Sequence, residues 1–297
     1  MKNKLFARNL SVLACALTLT GSAMGGVIDD FSSGDFAGGT GWNAPWAFRT
    51  YHSGPGQGST ASPDPTFSVT DATPINNGGN YFFIEDYIGE RGSSYTRQSR
   101  AFDTNIVDNT KTHTVSFDFR AWSDKWSSPN SQRLFGIVAR YSELNEFTRP
   151  SARTDSSWGV VYDSEKGWQA LVYNATSGAN ERIAPESIFL LENDAVFHVT
   201  INVYAERNKF SLSITDGVRT EDWGGMEFDF MSENPSGTGG GNILTFFSET
   251  LTGNHMSYSI DNVAVIPEGN TAAMALGGFV LVAAAARPSA LLQRIRR

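Results

Sequence analysis

The stretch TVSFDFRAW, residues 114–122, alternates strictly between two sets of side chains. Successive side chains of a β-strand point to opposite faces of a sheet, so this period of two predicts a half-buried strand. One face of the strand would carry an apolar set toward a core: Val115, Phe117, Phe119 and Ala121. The other face would carry Ser116, Asp118, Arg120 and Trp122.

The same alternation recurs through the middle of the chain. Apolar residues at 197, 199, 201 and 203 form one face of another strand, and further strand-like runs cover 134–141, 158–162, 168–173, 210–214, 243–247 and 257–265. Clusters of Gly, Pro, Asn, Asp and Ser separate these runs, and no interior segment has helical periodicity. This pattern predicts an all-β domain over residues 26–266, built as an antiparallel two-sheet sandwich of the jelly-roll type.

The first 25 residues have the features of a secretory signal peptide. Lys2, Lys4 and Arg8 precede an apolar run that ends in small residues, so we expect a signal helix that is cleaved near Gly25. A lipoprotein signal at Cys15 would leave an apolar region of about five residues, shorter than the usual 7–15. Because Cys15 is the only cysteine, cleavage would leave no disulfide, thiol nucleophile or thiolate metal site.

The charge is distributed unevenly along the chain. Seven of the 23 basic residues and one of the 31 acidic residues lie in 1–25 and 267–297, which leaves 16 basic and 30 acidic residues between them and a net charge of −14. Such a surface repels phosphate backbones, which excludes nucleic acid as a partner. It suits an extracellular protein or one that collects divalent cations.

The end of the chain is apolar with a basic tip. Thr271–Ala286 is a run of sixteen uncharged residues, close to the lower limit of about 17 that a bilayer span requires. Arg294, Arg296 and Arg297 would stay on the cytoplasmic side. A buried core helix would show a polar stripe, which this run lacks, so we expect a C-terminal transmembrane helix and hence the membrane as a partner.

The sequence just before this run resembles the PEP-CTERM sorting signal. Ile266-Pro267-Glu268-Gly269-Asn270-Thr271 stands where that family has V/I-P-E-P-S-T, with Gly269 and Asn270 in place of proline and serine. The resemblance implies a sorting segment over 267–297 with Pro267 and Glu268 as signal residues, and an exosortase-type enzyme as processing partner. It also implies a bacterial protein that is secreted across the inner membrane and anchored there or released to the cell surface or extracellular matrix. The replacement of the family's proline by Gly269 concerns the cleavage of the signal by the processing enzyme and not its engagement with the membrane.

The two ends of the middle region resemble concanavalin A-like jelly rolls, which include laminin-G-like and lectin-type modules. The opening Ile28-Asp29-Asp30-Phe31 and the closing stretch 258–265 carry this resemblance. It implies that the first and last strands lie side by side, and that an aspartate of the last strand helps to hold a structural calcium. Calcium takes six to eight oxygen ligands, so Asp29, Asp30 and Asp261 are its candidate ligands.

Catalytic motifs are missing from the sequence. Glycosidases of the laminarinase type carry E-x-D-x-E on a strand, whereas the nearest acidic cluster here, residues 85–90, places Glu85 and Asp86 on opposite faces. Jelly-roll lyase motifs, H-E-x-x-H, G-x-S-x-G and phosphate-binding glycine loops are absent. We therefore expect a protein that is not an enzyme; two carboxyl groups about 5–9.5 Å apart in a cleft would favour a divergent hydrolase or lyase.

Aromatic side chains beside polar ones point to sugar binding, because sugars stack on rings and form hydrogen bonds through their hydroxyl groups. Trp122 shares a strand face with Asp118 and Arg120, Trp126 follows in the next loop, and Trp46 belongs to an aromatic group near the N-terminus. These residues predict non-catalytic binding of polysaccharide, such as an exopolysaccharide, at the cell surface. The alternative is a structural or adhesive surface protein that binds protein partners through a flat apolar patch.

Overall fold

The computed structural model describes residues 26–53, 66–72, 75, 79–87, 93–122, 134–141, 156–163, 166–174, 176–185, 195–231, 240–251 and 255–268. The predicted signal peptide, Trp126, and the predicted transmembrane helix lie outside these residues. The described helical segments are two 3₁₀ turns, Ala205–Arg207 and Trp223–Gly225. No helix in the described part of the chain has the length and apolar character needed to cross a bilayer.

The first sheet contains nine strands. They are β1 (Val27–Asp29), β3 (Thr66–Thr70), β4 (Tyr81–Tyr87), β6 (His113–Ala121), β11 (Val196–Tyr204), β12 (Lys209–Thr215), β13 (Thr220–Glu221), β14 (Phe228–Asp229) and β16 (His255–Pro267). Their order is β13-β12-β11-β6-β16-β4-β3, with β1 paired to β16 and β14 paired to β12. The strand predicted from residues 114–122 is therefore the centre of this sheet, between β11 and β16.

The second sheet contains seven strands. They are β2 (Ala47–Ser53), β5 (Ser93–Ala101), β7 (Leu134–Arg140), β8 (Ser156–Asp163), β9 (Gly167–Asn174), β10 (Ala179–Ile183) and β15 (Ile243–Leu251). Their order is β10-β9-β8-β7-β15-β5-β2, and all the described pairings are antiparallel. Two antiparallel sheets, which make up the described part of the chain apart from two 3₁₀ turns and the connections, confirm the predicted jelly-roll sandwich.

An aromatic core joins the two sheets. Phe119 of β6 stacks on Phe135 of β7, with ring centroids 4.2 Å apart, and Phe117 meets the edge of Phe246 of β15 at 5.0 Å. The apolar face of β6 thus points inward as the alternation predicted, and its polar face points away from the second sheet. Trp158 and Trp168 are fully buried in the same core.

The first and last strands pair, as the concanavalin A-like resemblance implied. In β1, Val27 lies opposite Val265 and Asp29 opposite Val263. Between Asp261 and Ala264 the pairing of β16 with β6 shifts register, and Asn262 adopts the left-handed conformation (φ 51°) at this bulge. The strand continues to Pro267, one residue beyond the predicted domain border.

Candidate functional site

The outward side chains around the middle of β6 form the candidate site, which we call the β6 face. It comprises Asp118, Arg120, Trp122, His198, Ser259, Asp261 and Asn262, with Tyr81 and Phe83 at its β4 side. Asp118 lies directly opposite His198 of β11 on one side and Asp261 of β16 on the other. Arg120, two residues further along, lies opposite Ser259.

Trp122 is held in place at the aromatic half of the β6 face. Its indole Nε1 donates a hydrogen bond to Ser259 Oγ at 2.7 Å, and the Arg120 guanidinium carbon lies 4.1 Å from the ring centroid. Phe83 meets the ring edge-on at 5.9 Å, and Tyr81 stacks with it at 6.4 Å. The partly exposed indole is therefore part of an aromatic group that carries a cation.

Hydrogen-bonding groups fill the other half. Asp118 is 8% exposed; its Oδ1 lies 2.8 Å from His198 Nδ1, and its Oδ2 accepts from Asn262 Nδ2 at 2.7 Å. His198 is half-exposed, with 48% of its side chain accessible. Carboxylate, imidazole and amide groups of this kind form hydrogen bonds with hydroxyl groups.

Asp261 has an altered acidity. Burial raises the pKa of Asp261 to about 7; the Asn262 backbone N–H, which donates to its Oδ1 at 2.8 Å, opposes this effect, and the negative charges of Asp118, Asp30 and Asp29 add to it. Burial therefore favours the neutral, protonated form of Asp261 beside the hydrogen-bond acceptor Asp118.

Asp29 and Trp46 lie in a different place, inside the sandwich. Trp46 is 4% exposed, and its Nε1 donates to Asp29 Oδ2 at 2.9 Å. The same carboxylate forms a fully buried ion pair with Arg100, whose Nε also donates to the Ala44 carbonyl at 2.7 Å. Trp46 is thus a core residue that positions Asp29, whereas the sequence predicted that its ring would contact a sugar.

Two of the three predicted calcium ligands, Asp29 and Asp30, already accept hydrogen bonds from other groups. Asp29 Oδ1 accepts from the Phe31 N–H at 3.0 Å and Oδ2 contacts Arg100, so a guanidinium already supplies the positive charge there. Asp30 is exposed, and its Oδ1 accepts from the Ser32 N–H at 3.1 Å. Over the ranges given above, no group of three or more His, Cys, Asp or Glu is arranged to hold a metal ion.

The structure thus brings three of the five predicted binding residues together: Asp118, Arg120 and Trp122. It adds Asp261, which was predicted for calcium, and His198, Asn262, Tyr81 and Phe83, which were not predicted. Tyr81 and Phe83 share a face of β4, but all four residues of the stretch 81–84 are apolar or aromatic, so the sequence does not show which face points outward. No local signal marks Asn262, since its position depends on the bulge.

The predicted sorting residues begin where the sandwich ends. Pro267 is the last residue of β16, opposite His113, and the Glu268 N–H donates to the Thr112 carbonyl at 3.0 Å. The remainder of the predicted sorting segment lies outside the described residues.

Comparisons with known proteins give weak likenesses. No family model matches the chain, and no curated protein matches it. Among solved structures, a carbohydrate esterase from the Shiga toxin-encoding bacteriophage phi24B matches with a TM-score of 0.43 and 14% identity, over 74% of this chain and 91% of that chain. The lectin UEA-II complexed with galactose matches with a TM-score of 0.41 and 10% identity, over 81% and 97%.

The binding domain of botulinum neurotoxin DC, in complex with rat synaptotagmin II, matches with a TM-score of 0.40 and 14% identity over 75% of this chain. The match spans 43% of the length of that binding domain. Likenesses at this level say nothing about function, so the functional argument depends on the β6 face.

Proposed function

We propose that this protein is a non-catalytic carbohydrate-binding protein of the bacterial cell surface, and that the β6 face binds a polysaccharide. The observation that carries the proposal is the position of Trp122 beside Arg120, on the same face of β6 as the hydrogen-bonded Asp118 four residues away. An aromatic ring next to a few oriented polar groups is the combination that sugar sites use.

The aromatic half supplies the stacking surface. A sugar ring would take the place of the Arg120 guanidinium over Trp122, and the released guanidinium would donate hydrogen bonds to hydroxyl groups. The bond from Trp122 Nε1 to Ser259 Oγ fixes the indole before a ligand arrives, which reduces the entropy that binding costs.

The polar half would orient the sugar through hydrogen bonds. His198, Asp118 and Asp261 form one row across three adjacent strands, so their hydrogen-bonding groups succeed one another at the spacing of strands, about 4.8 Å. His198 is the accessible member of this row, with 48% of its side chain exposed, and Asp118 orients its imidazole toward a hydroxyl group of the sugar.

A hydrolase is the second candidate, because Asp118 and Asp261 are directly opposed and the pKa of Asp261 is raised to about 7 by burial. Retaining glycosidases use two carboxyl groups about 5–5.5 Å apart, one protonated and one ionised. Binding is favoured because both carboxyl groups are buried and each oxygen of Asp118 already accepts a hydrogen bond. Release of reducing ends from the bound polymer, abolished in Asp261→Asn, would favour the hydrolase.

Export and sorting complete the proposal. The signal peptide 1–25 would take the chain across the inner membrane, and the segment 267–297 would engage the membrane and an exosortase-type enzyme. The sandwich, the sorting residues and the apolar run follow one another along the chain. This order supports export followed by sorting at the membrane. Cell fractionation of the full chain and of a Pro267→Ala, Glu268→Ala variant tests it, because the variant should be retained in the inner membrane.

Affinity electrophoresis of the purified full chain against a panel of bacterial and algal polysaccharides tests the binding function. We expect one polymer to retard the chain, and Trp122→Ala to abolish the retardation. Tyr204→Ala is the matched control, because Tyr204 is also an aromatic residue of the first sheet with an arginine, Arg207, over its ring at 4.6 Å.

Tyr204 lies six residues from His198 along β11, about 20 Å away. Its loss should leave the retardation intact. Failure of every polymer to retard the chain would reject the proposal and favour a structural surface protein. Equal loss of retardation in both variants would show that the β6 face is not the binding surface.

A further inference from the structure

The other side of the sandwich has a pocket that is distinct from the β6 face. It lies on the outer surface of the second sheet, where β2, β5 and β15 run side by side, and Pro45, Ala47, Arg49, Arg97 and Ile243 help to line it. Gln98 of β5 points inward, since its Oε1 accepts from Tyr258 Oη of the first sheet at 3.2 Å. Its neighbours Arg97 and Ser99 therefore point outward.

The lining of this pocket is mainly apolar, with two arginine side chains from adjacent strands. Arg49 of β2 and Arg97 of β5 are directly opposed in the antiparallel pairing, and no acidic residue belongs to its described lining. The positive charge of Arg49 contrasts with the net charge of −8 of the whole chain.

The two opposed arginines differ in their surroundings. Arg97 is 4% exposed and lies at the floor of the pocket. Arg49 is exposed, and its one described hydrogen bond is donated to the carbonyl of the adjacent Phe48 at 3.2 Å. Within the described part of the chain, no carboxylate lies within ion-pair distance of Arg49. Its guanidinium can therefore turn to an anion at the pocket mouth.

We infer that this pocket binds the carboxylate of an acidic sugar residue, a uronate. A guanidinium binds a carboxylate through two parallel hydrogen bonds, which Arg49 would supply at the mouth of the pocket. The apolar side chains of Pro45 and Ile243 provide the surface that contacts a sugar ring. The inference goes beyond the proposed function, because it assigns a second site and an anionic specificity to the opposite sheet.

Isothermal titration calorimetry of the purified full chain with trigalacturonate tests the inference. Uncharged galactotriose and inorganic sulfate serve as comparison ligands. We expect trigalacturonate to bind, galactotriose to leave the pocket empty, and Arg49→Gln to weaken trigalacturonate binding by about tenfold, as loss of a charge-assisted hydrogen bond predicts. Arg207→Gln removes the same charge from an exposed arginine of the first sheet and should change the affinity by less than about twofold.

Three outcomes would overturn the inference. Absence of trigalacturonate binding would do so, and so would equal weakening in Arg49→Gln and Arg207→Gln, which would indicate unspecific attraction. Sulfate that binds with the same dependence on Arg49, without binding of trigalacturonate, would show a simple anion site. Trp122→Ala separates the two sites, since it should remove polysaccharide binding at the β6 face and leave trigalacturonate binding unchanged.

Discussion

Asp118 and Asp261 occupy directly opposed positions on the adjacent strands β6 and β16, and both side chains lie on the outward face of the first sheet. They are 8% and 7% exposed, so neither charge is well solvated. Two ionised carboxylates in this arrangement would repel each other. The pair avoids this repulsion because Asp118 accepts hydrogen bonds from His198 and Asn262 whereas burial keeps Asp261 protonated up to about pH 7.

This pair makes the free energy of unfolding depend on pH. The pKa of Asp261 is raised by burial from 3.8 to about 7 in the folded protein, so between these values the folded state binds more protons than the unfolded state. Stability from this group is complete below about pH 4 and is lost as the pH rises to about 7. Asp261→Asn, which stays neutral, should therefore gain stability relative to the natural chain by about 2 kcal/mol between about pH 5 and about pH 8.

Urea unfolding of the full chain at both pH values measures this difference. Asp71→Asn, at an exposed position, is the control and should show no such gain. An Asp261→Asn variant whose relative stability does not change between the two pH values would contradict the raised pKa.

The bulge beside this pair gives a second prediction. Asn262 has a φ of 51°, and its amide donates to Asp118 Oδ2 at 2.7 Å. Glycine adopts this conformation freely, whereas alanine pays about 1–2 kcal/mol for it. Both substitutions lose the amide bond, so we expect Asn262→Ala to be less stable than Asn262→Gly by about 1 kcal/mol in thermal unfolding. Equal stability of the two variants would show that the bulge relaxes.

The sequence predicted the fold where strands bury an apolar face, and it missed strands with a polar inner face. The inward residues of β5 are Thr96, Gln98 and Arg100, which contact Ser248, Tyr258 and Asp29 respectively. These side chains are buried because hydrogen bonds and an ion pair satisfy them, so hydrophobic alternation could not reveal the strand. The partners are distant in sequence and become visible only when the sheets are assembled.

The candidate site was predictable only where its residues share one strand. Asp118, Arg120 and Trp122 share one strand, and a period of two places them on one face. Asp261 joins Asp118 only through the register of β16, which the bulge at Asn262 shifts. Trp46 has the local surroundings of a loop, with Pro45 before it, but its hydrogen bond to Asp29 holds it in the core.

The buried ion pair between Arg100 and Asp29 gives a third prediction. Arg100→Met leaves the Asp29 carboxylate in the core without its cation, which should cost about 3–5 kcal/mol of the free energy of unfolding. Adding Asp29→Asn to this variant should restore part of the loss, because the uncompensated charge disappears. Arg207→Met, in the exposed pair with Glu227, should cost less than about 1 kcal/mol in the same urea titration. A smaller loss in Arg100→Met than in Arg207→Met would contradict the role of the pair.

The ion pair between Arg100 and Asp29 also leads to a prediction about the effect of calcium on stability. A metal bound at about 100 times its dissociation constant would add about 2.7 kcal/mol to the free energy of unfolding. Because Arg100 supplies the positive charge at Asp29, we expect neither calcium nor a chelator to change the unfolding temperature of the full chain. A calcium-dependent rise, removed by Asp29→Asn, would restore the calcium site that the sequence predicted.

The contact between Trp122 and Ser259 gives the last prediction, which separates positioning from stacking at the β6 face. Ser259 is fully buried, and its hydroxyl accepts the indole hydrogen bond at 2.7 Å. Ser259→Ala leaves the ring present but releases its orientation, so polysaccharide affinity should fall by about fivefold, the equivalent of one ordinary hydrogen bond. Trp122→Phe keeps a ring but has no N–H, so it should lose affinity to a similar extent, and Ser259→Ala should then have little further effect in the Trp122→Phe background. Affinity electrophoresis of the four proteins measures this coupling. Additive losses in the double variant would show that Ser259 contacts the sugar itself and does not act by orienting the indole.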